Sequence, residues 1–238
     1  MLVLGIDTSG YANAIGVADG ERVLADFAFQ TRNESLAKIM LNVDSMLKDA
    51  GLGLEDIEGF GVGLGPGSWT GIRIGVTVGK MLAYSTGKPV KGISTMEVLA
   101  YQARDCRSLI CPIIDAGAGD TIYAAFYRSG NNAVHQVGDY YVGDFSGLAE
   151  VIAEPVVLVA AGVSKYQSAI EQLLESNIVA AARESIPGGA MVALRAAARL
   201  QNGEPDDTLS LAPLYLKEST ARAFVNKYSK RALEAQQR

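Results

Sequence analysis

The sequence predicts an α/β protein made of two similar lobes, and two observations support this prediction. The first is a repeated order of elements. "LGIDTSGYANAIGVADGERVLADF" runs as an apolar strand, an aspartate, small residues, an alternating strand, a glycine turn and a third strand, and "CPIIDAGAGDTIYAAFYRSGNNAVHQV" repeats that order. The second is composition, because 238 residues with 49% hydrophobic and 20% charged residues are typical of a globular protein with a sizeable core. We predict lobes at residues 1–104 and 105–212 and a helical tail, 213–238, that returns to the first lobe.

Histidine and cysteine are scarce in this chain. His135 is the single histidine, and Cys106 and Cys111 are the two cysteines. This set cannot form a paired-histidine metal site or a disulfide framework, so we expect no bound metal and reduced thiols. We predict that His135 lies on the second arm of a hairpin without a catalytic role. The sequence lacks an apolar run of about 18 residues and a basic leader, so we expect no membrane helix, no signal peptide and a cytoplasmic protein.

The charge of the chain is unevenly distributed. A formal net charge of −5 argues against a protein that binds nucleic acid strongly by itself, since lysine and arginine contacts to phosphate supply most of that affinity. From residue 213 onward, however, six basic residues stand against two acidic ones. This basic tail is either a solvated helix face or a contributor to binding RNA or an acidic partner.

The glycine-rich stretch "GLGPGSWTGIRIGVTVGK", residues 63–80, resembles a phosphate-binding loop at first sight. Its spacing fits neither a Walker loop, nor a dinucleotide fingerprint, nor a nucleophile elbow. Glycine at every second position from Gly59 to Gly67 instead predicts a strand that another backbone approaches closely. A turn follows, and then a helix from about Trp69 to Ser85, with Ser68 as its N-cap and Gly87 as its terminator.

Small residues recur every four positions in that helix, at Gly71, Gly75, Gly79 and Ala83. Each interior glycine costs about 1 kcal/mol relative to alanine, so the row indicates a flat ridge for close packing. The pattern leaves open whether the ridge packs inside this chain or against a partner.

An earlier helix, from about Glu34 to Ala50, carries a second apolar face. Such a face usually packs on the protein's own sheet, but this one is broader than a narrow seam and contains two adaptable methionines. Its members are Leu36, Ile39, Met40, Val43, Met46 and Leu47.

The loops after the first strand of each lobe resemble the phosphate loops of actin-like, Hsp70-like and sugar-kinase ATPases. "DTSG" begins at Asp7, "DAGAG" begins at Asp115, and "VLVAAGVSKY" resembles a degenerate adenosine loop. Small residues there would let backbone N–H groups approach phosphate oxygens. The alternative is that both aspartates cap turns after buried strands. The candidate nucleotide-loop residues are Asp7, Thr8, Ser9, Asp115, Gly117 and Gly162.

Taken together, several motifs resemble the TsaB (YeaZ) family, which takes part in bacterial tRNA threonylcarbamoyladenosine synthesis. The glycine-proline-glycine-serine-aromatic-threonine-glycine run is highly specific to that family. The motifs are "GIDTS" at 5–9, "GLGPGSWTGIRIG" at 63–75, "GISTMEVLA" at 92–100, the "DA…YAAFY" pattern at 115–127 and "PLYLK" at 213–217. The match is dense to about residue 127 and sparse beyond it.

This resemblance implies a two-lobe actin-like (ASKHA, ribonuclease H-like) ATPase fold with a degenerate nucleotide site, no catalytic residues and no cofactor beyond weak ATP or ADP binding. It implies a non-catalytic subunit that binds the TsaD-type transferase and works with the TsaE-type ATPase. It also implies possible self-association through the same N-lobe helices, and contact with tRNA indirectly or through the basic tail. The implied partner interface is Leu36, Ile39, Met40, Val43, Met46, Leu47, Trp69, Gly71, Ile72, Gly75 and Gly79.

The chain departs from the family pattern at three places. Gly117 to Gly119 replace arginines that usually follow the second aspartate, Gly162 lacks a following aspartate, and Lys217 stands where arginine is usual. The first departure weakens any anion contact at that loop. The alternative functions are an actin-like ATPase or phosphotransferase that uses Asp7 and Asp115 and, less favoured, a metallopeptidase. Nothing in the sequence supports the glycoprotease activity that older names suggest.

Overall fold

The computed structural model describes residues 1–30, 36–117, 119–130, 133–162, 166–176 and 179–217. Two predicted features fall wholly or partly outside this set. The tail beyond Lys217 is not described, and neither is the side chain of Leu36. None of the helices within the described residues is long and apolar enough to cross a membrane.

The first lobe is built on a five-stranded sheet with the order β3-β2-β1-β4-β5. β2 is antiparallel to both β1 and β3, while β4 and β5 run parallel to β1. Its elements are β1 (Leu2–Asp7), β2 (Asn13–Asp19), β3 (Arg22–Phe29), α1 (Leu36–Asp49), β4 (Gly59–Gly63), α2 (Trp69–Thr86) and β5 (Val90–Ile93).

The second lobe repeats this arrangement with the sheet order β10-β9-β6-β7-β8. Again a three-stranded antiparallel meander comes first, and two parallel strands then extend the sheet on the other side. The elements are α3 (Thr95–Gln102), β6 (Leu109–Asp115), β7 (Ile122–Gly130), β8 (Ala133–Gly143), α4 (Phe145–Val151), β9 (Val156–Ala161), α5 (Gln167–Glu175), β10 (Val179–Glu184) and α6 (Gly189–Gln201).

The predicted repeat between the lobes holds at the level of strand register. Asp7 is the last residue of β1 and Asp115 is the last residue of β6. Ile15 pairs with Ile6 in the first sheet, and its predicted counterpart Tyr123 pairs with Ile114 in the second. His135 lies on β8 opposite Arg128, on the second arm of the β7–β8 hairpin as predicted.

Two helices, α3 and α6, cross between the lobes. α3 contacts strands of the second sheet, whereas α6 packs on β1, β2 and β4 of the first. The contact under α6 is made by backbone: a Cβ on Gly5 would lie 2.1 Å from the carbonyl oxygen of Gly189, and one on Gly16 would lie 2.2 Å from the amide of Ala190. Glycine is required at such positions because no side chain fits between helix and sheet.

Helix α2 begins and ends where the sequence predicts, within one residue. Ser68 is its N-cap, and the Ser68 hydroxyl accepts a hydrogen bond from the Gly71 amide at 3.2 Å. At the other end Gly87 adopts a left-handed conformation with φ 67°, the usual geometry of a helix-terminating glycine.

The glycine ridge of α2 packs inside this chain, so the assignment of Gly71, Gly75 and Gly79 to a partner interface needs correction. A Cβ at Gly71 would lie 2.0 Å from the Thr8 carbonyl oxygen, and one at Gly75 would lie 2.3 Å from the Thr8 hydroxyl. A Cβ at Gly79 would lie 2.1 Å from a methyl of Val62. The ridge lets α2 lie directly on β4 and on the loop after β1.

The apolar face of α1 is also internal, because Ile39, Val43, Met46 and Leu47 are buried in the core under the first sheet. Ile72 of α2 is buried in the same core, and Met40 is partly buried. Side chains inside the chain's own core cannot contact another protein while the fold is intact. This corrects the predicted interface at five of its members, while Trp69 remains partly exposed.

A segment of irregular backbone, 206–217, returns from α6 to the first lobe. The Leu214 amide donates to the Leu64 carbonyl at 2.8 Å, and Lys80 of α2 donates to the carbonyls of Leu209 and Leu211. Tyr215 stacks on Trp69 with ring centroids 4.1 Å apart. These contacts bring Lys217 to the opening between the lobes.

Candidate functional site

A cleft of about 670 Å³ lies between the two lobes, at the carboxyl ends of β1, β6 and β9. Ligands of open α/β sheets bind at this end of the strands, so the position fits the predicted nucleotide site. Of the predicted loop residues, Ser9, Asp115, Gly117 and Gly162 line the cleft, together with residues from both lobes.

Asp7 does not line that cleft, because its side chain is only 1% exposed and its carboxylate accepts hydrogen bonds from Ser9 and Thr95. Its Oδ1 accepts hydrogen bonds from the amide of Ser9 at 2.8 Å and from the Ser9 hydroxyl at 2.5 Å. Its Oδ2 accepts from the Thr95 hydroxyl at 2.8 Å. Burial raises the pKa of Asp7 above its ordinary value, and the hydrogen bonds from Ser9 and Thr95 counter this only in part.

The neighbouring residue Thr8 is equally committed to internal contacts. Its hydroxyl donates to the carbonyl of Gly71 at 2.6 Å, which ties the loop after β1 to the first turn of α2. The hydroxyls of Ser9 and Thr95 lie 3.0 Å apart. The loop after β1 is therefore a closed hydrogen-bonded unit, and of its three predicted residues only Ser9 reaches the cleft wall.

Asp115 occupies the equivalent place in the second lobe but is partly exposed and lines the cleft. Its Oδ1 accepts from the Gly117 amide at 2.9 Å and from the Tyr166 hydroxyl at 3.2 Å. Gly117 has a positive φ of 71° and nothing within 4 Å of its missing Cβ, so this loop is open to solvent. A carboxylate in such a loop can still accept a hydrogen bond from a ligand.

Gly162 follows β9, the strand paired with β6, so it lies beside Asp115 at the cleft, and it adopts a positive φ of 66°. The ring of Tyr11, from the first lobe, lies 3.3 Å from the position of a Cβ on Gly162. The two lobes therefore touch across the cleft mouth at this point.

Sequence reasoning did not place three residues at the cleft that line it in the structure, namely Tyr11, Thr95 and Lys217. Thr95 could have been found, because it lies in the motif "GISTMEVLA" directly after a predicted strand. The place of Tyr11 depends on how the two lobes close, which no local pattern in the sequence encodes.

No group of three or more His, Cys, Asp or Glu side chains within the described part of the chain could hold a metal ion. The absence of a bound metal and of a cofactor stays a prediction. Cys106 and Cys111 are free, and burial raises the pKa of the Cys111 thiol.

A second surface feature is the outer side of helices α1 and α2, which carries large apolar side chains. Leu41 is 69% exposed, Met81 is 54% exposed and Tyr84 is 75% exposed. On α1, Leu41 stands among charged exposed side chains such as Lys38 and Lys48. On α2, Met81 and Tyr84 lie about one turn apart on the exposed side of the helix. Neighbouring exposed apolar side chains such as Met81 and Tyr84 are typical of sites that contact another protein.

Comparison with known proteins now places the chain in a family. The family model described as "TsaD: tRNA N6-adenosine threonylcarbamoyltransferase" matches residues 30–223. The Bacillus subtilis protein named "tRNA threonylcarbamoyladenosine biosynthesis protein TsaB" is 30% identical over 227 residues, which are 94% of this chain and 97% of that protein. The chain belongs to the TsaB family. The Escherichia coli protein of the same name is 32% identical over 137 residues, 57% of this chain and 59% of its relative.

Solved structures agree on the fold of this TsaB-family chain. YeaZ from Pseudomonas aeruginosa superposes with a TM-score of 0.73 at 22% identity, over 90% of this chain and 99% of that one. The ROK hexokinase from Thermus thermophilus superposes with a TM-score of 0.52 at 16% identity, over 84% of this chain and all of that one. The two-lobe actin-like fold implied by the sequence is thus confirmed.

Proposed function

We propose that this protein is a non-catalytic subunit in the synthesis of tRNA threonylcarbamoyladenosine, and that it binds and supports a TsaD-type transferase. The observation that carries the proposal is the exposed apolar surface of α1 and α2, since Leu41, Met81 and Tyr84 would be shielded from water by a protein partner. The names of the curated relatives supply the pathway.

The side chains of the loop after β1 make hydrogen bonds within the protein, which supports a function in which this loop takes no part in catalysis. A phosphate-binding aspartate must point into the cleft, but the carboxylate of Asp7 is buried and already accepts three hydrogen bonds. Releasing it for a ligand would leave the donors of Ser9 and Thr95 unpaired at a cost of about 1–3 kcal/mol each.

We place the partner surface on the outer side of the two predicted interface helices, so exposed residues are better probes of it than buried ones. Aspartate at Val43 would put an unpaired charge in the core of the first lobe and unfold the protein. Leu41 and Tyr84 can carry a charge without loss of packing, because most of each side chain is exposed.

The test is binding of the double variant Leu41→Asp/Tyr84→Asp to the TsaD-type partner, measured by size-exclusion chromatography and calorimetry. We expect at least an approximately thirtyfold loss of affinity, because buried aromatic anchors contribute about 2 kcal/mol or more to interfaces. The matched control is Val151→Asp, which changes an exposed apolar residue on α4 of the second lobe. Equal partner binding by a folded Leu41→Asp/Tyr84→Asp protein would exclude this surface.

The further parts of the proposal concern the assembly. We propose that the TsaE-type ATPase acts in the same complex, that self-association uses the same α1–α2 surface in the absence of the partner, and that the complex works in the cytoplasm. Reconstitution with TsaD, TsaE and TsaC counterparts, scored for modified tRNA with and without this chain, tests the role as a whole.

One observation keeps a second candidate function, an actin-like ATPase or phosphotransferase, worth testing. Asp115 and Gly162 lie side by side at the carboxyl ends of the paired strands β6 and β9 and line a cleft large enough for a nucleotide. We expect at most weak ATP or ADP binding there, because the first lobe offers no free carboxylate from Asp7. Rapid magnesium-dependent ATP hydrolysis by the purified chain, lost in Asp115→Ala, would favour the enzyme.

A further inference from the structure

Arginine side chains are concentrated on one side of the molecule, where α3 ends and β10 runs. A cavity of about 460 Å³ is lined by Arg104, Arg107 and Ser129, among others. The guanidinium of Arg183, from β10, lies 3.4 Å from the Cys106 sulfur in the same cavity wall. Arg104, Arg107 and Arg183 are called here the arginine patch.

The arginine patch continues onto α6 through shared contacts. Arg104 lies over the ring of Tyr101 at 4.4 Å, and Arg195 of α6 lies over the same ring at 4.8 Å. Arg195 and Arg199 both donate to the carboxylate of Glu97, which neutralises part of their charge. Arg195 is largely buried there, so its contribution is mainly to hold the surface in place.

The patch keeps a positive charge although the whole chain carries −5. Asp105 lies in the cavity wall with Arg104 and Arg107, and Arg183 contacts the same wall at Cys106. Arg107 and Arg183 are exposed, and Arg104 is oriented in advance by its bond to the Tyr101 carbonyl at 3.1 Å and by stacking on the Tyr101 ring. The buried hydroxyl oxygen of Ser129 has no hydrogen-bond partner among the described residues.

We propose that the arginine patch binds the phosphate backbone of RNA, in addition to the protein contact on α1 and α2. All of its basic side chains are arginines, whose planar guanidinium donates two parallel hydrogen bonds to phosphate. The three arginines come from β10 and from the loop after α3, so their charge spans more than one element, which fits a polyanion better than a single small anion. The choice of RNA rests on the proposed function in tRNA modification, whereas the anionic chemistry rests on the arginines alone.

The test is fluorescence anisotropy of labelled tRNA with the full chain, at a series of salt concentrations. The variant Arg107→Glu/Arg183→Glu is compared with Lys38→Glu/Lys48→Glu, which makes the same change of net charge on exposed residues of α1, on the opposite side of the first sheet from α6. We expect weak, salt-sensitive binding by the unmodified protein. The patch variant should lose at least about tenfold in affinity, and its slope of log affinity against log salt should fall by about 2. The α1 variant should lose much less.

Three results would overturn the proposal. One is no binding of tRNA by the unmodified protein up to about 10⁻⁴ M at low salt. Another is an equal loss of RNA affinity in the patch variant and the α1 variant, which would show a general effect of net charge. The third is a patch variant that keeps RNA affinity but loses the TsaD-type partner, which would make the patch a protein contact.

Partner binding by the unmodified protein, measured on the same preparations, separates this proposal from the proposed function. If the partner binds and RNA does not, only the RNA-binding patch is wrong. If RNA binds through the patch and the partner does not bind, the patch stands and the subunit role fails. A thermal melt of both variants confirms that each is folded before its affinity is compared.

Discussion

The loops after β1 and after β6 begin with an aspartate at the same register position, yet the two lobes use them differently. Asp7 is buried beneath its own loop and accepts hydrogen bonds from Ser9 and Thr95. Asp115 stays partly exposed at the cleft, where its carboxylate accepts hydrogen bonds from the Gly117 amide and the Tyr166 hydroxyl. The same local motif is therefore a structural support in one lobe and an accessible surface in the other.

The difference arises from what packs against each loop. In the first lobe, the glycines of α2 bring the helix backbone onto Thr8, and Gly63 lies so close to Asp7 that a Cβ there would fall 2.1 Å from its Oδ2. In the second lobe, a Cβ on Gly117 or Gly119 would have no neighbouring atom within 4 Å. The residues that decide whether each aspartate is buried or exposed lie on other elements, and they are too far away in the sequence to belong to the same motif.

The largest effect is expected where that packing is tightest. Gly71→Val would place the Cβ 2.0 Å from the carbonyl oxygen of Thr8. Because that oxygen belongs to the backbone, the helix and the loop would have to move apart. We expect a loss of about 3 kcal/mol or more in the free energy of unfolding. Gly117→Ala in the second loop should cost about 1–2 kcal/mol, from its positive φ alone. Urea denaturation of both variants measures the difference.

The control for this prediction lies on the same helix. Thr77→Val changes an exposed side chain of α2 and should stay within about 0.5 kcal/mol of the unmodified protein. Comparable stability of Gly71→Val and Thr77→Val would mean that α2 can move away from the loop, and the contrast between the lobes would lose its physical basis.

An intermediate effect is expected from removing each aspartate. Asp7→Ala leaves the Ser9 amide without an acceptor in a buried place, although the hydroxyls of Ser9 and Thr95 can bond to each other. We expect a loss of about 2 kcal/mol in the free energy of unfolding. Asp115→Ala exposes its partner amide at Gly117 to water and should cost below about 1 kcal/mol. Thermal and chemical denaturation of the pair test the order, and a larger loss for Asp115→Ala would reverse the comparison.

The sequence predicted those parts of the fold that depend on local pattern. The bounds of α2 followed from Ser68 and Gly87, which are a capping side chain and a left-handed glycine, and the repeat of the two lobes followed from aspartates at the ends of apolar strands. Such features are encoded by neighbouring residues, and the structure reproduces them within a few positions.

Contacts between distant elements could not be predicted in the same way. The apolar face of α1 fits the chain's own sheet as well as the partner that the family resemblance implies, so that resemblance places Val43 in the predicted interface although it is 1% exposed. The glycine ridge at Gly71 and Gly75 fitted either an internal or an external neighbour until the position of Thr8 was known. The arginine patch joins β10 with the loop between α3 and β6, which have no pattern in common along the chain.

A smaller effect, in the pH dependence of stability, tests whether burial dominates the environment of Asp7. Burial raises the pKa of Asp7 above 3.8, so the folded protein holds this proton more tightly than the unfolded chain. The resulting stabilisation is fully present below the unfolded pKa and is lost as pH rises through the folded pKa. We therefore expect the free energy of unfolding of the unmodified protein, minus that of Asp7→Asn, to decrease as pH rises from about 4 toward neutrality. All other titratable groups are present in both proteins and cancel to first order in this difference. Urea denaturation at a series of pH values measures it, and a difference that instead increases with pH would mean that the hydrogen bonds from Ser9 and Thr95 outweigh desolvation, making Asp7 a stable buried anion.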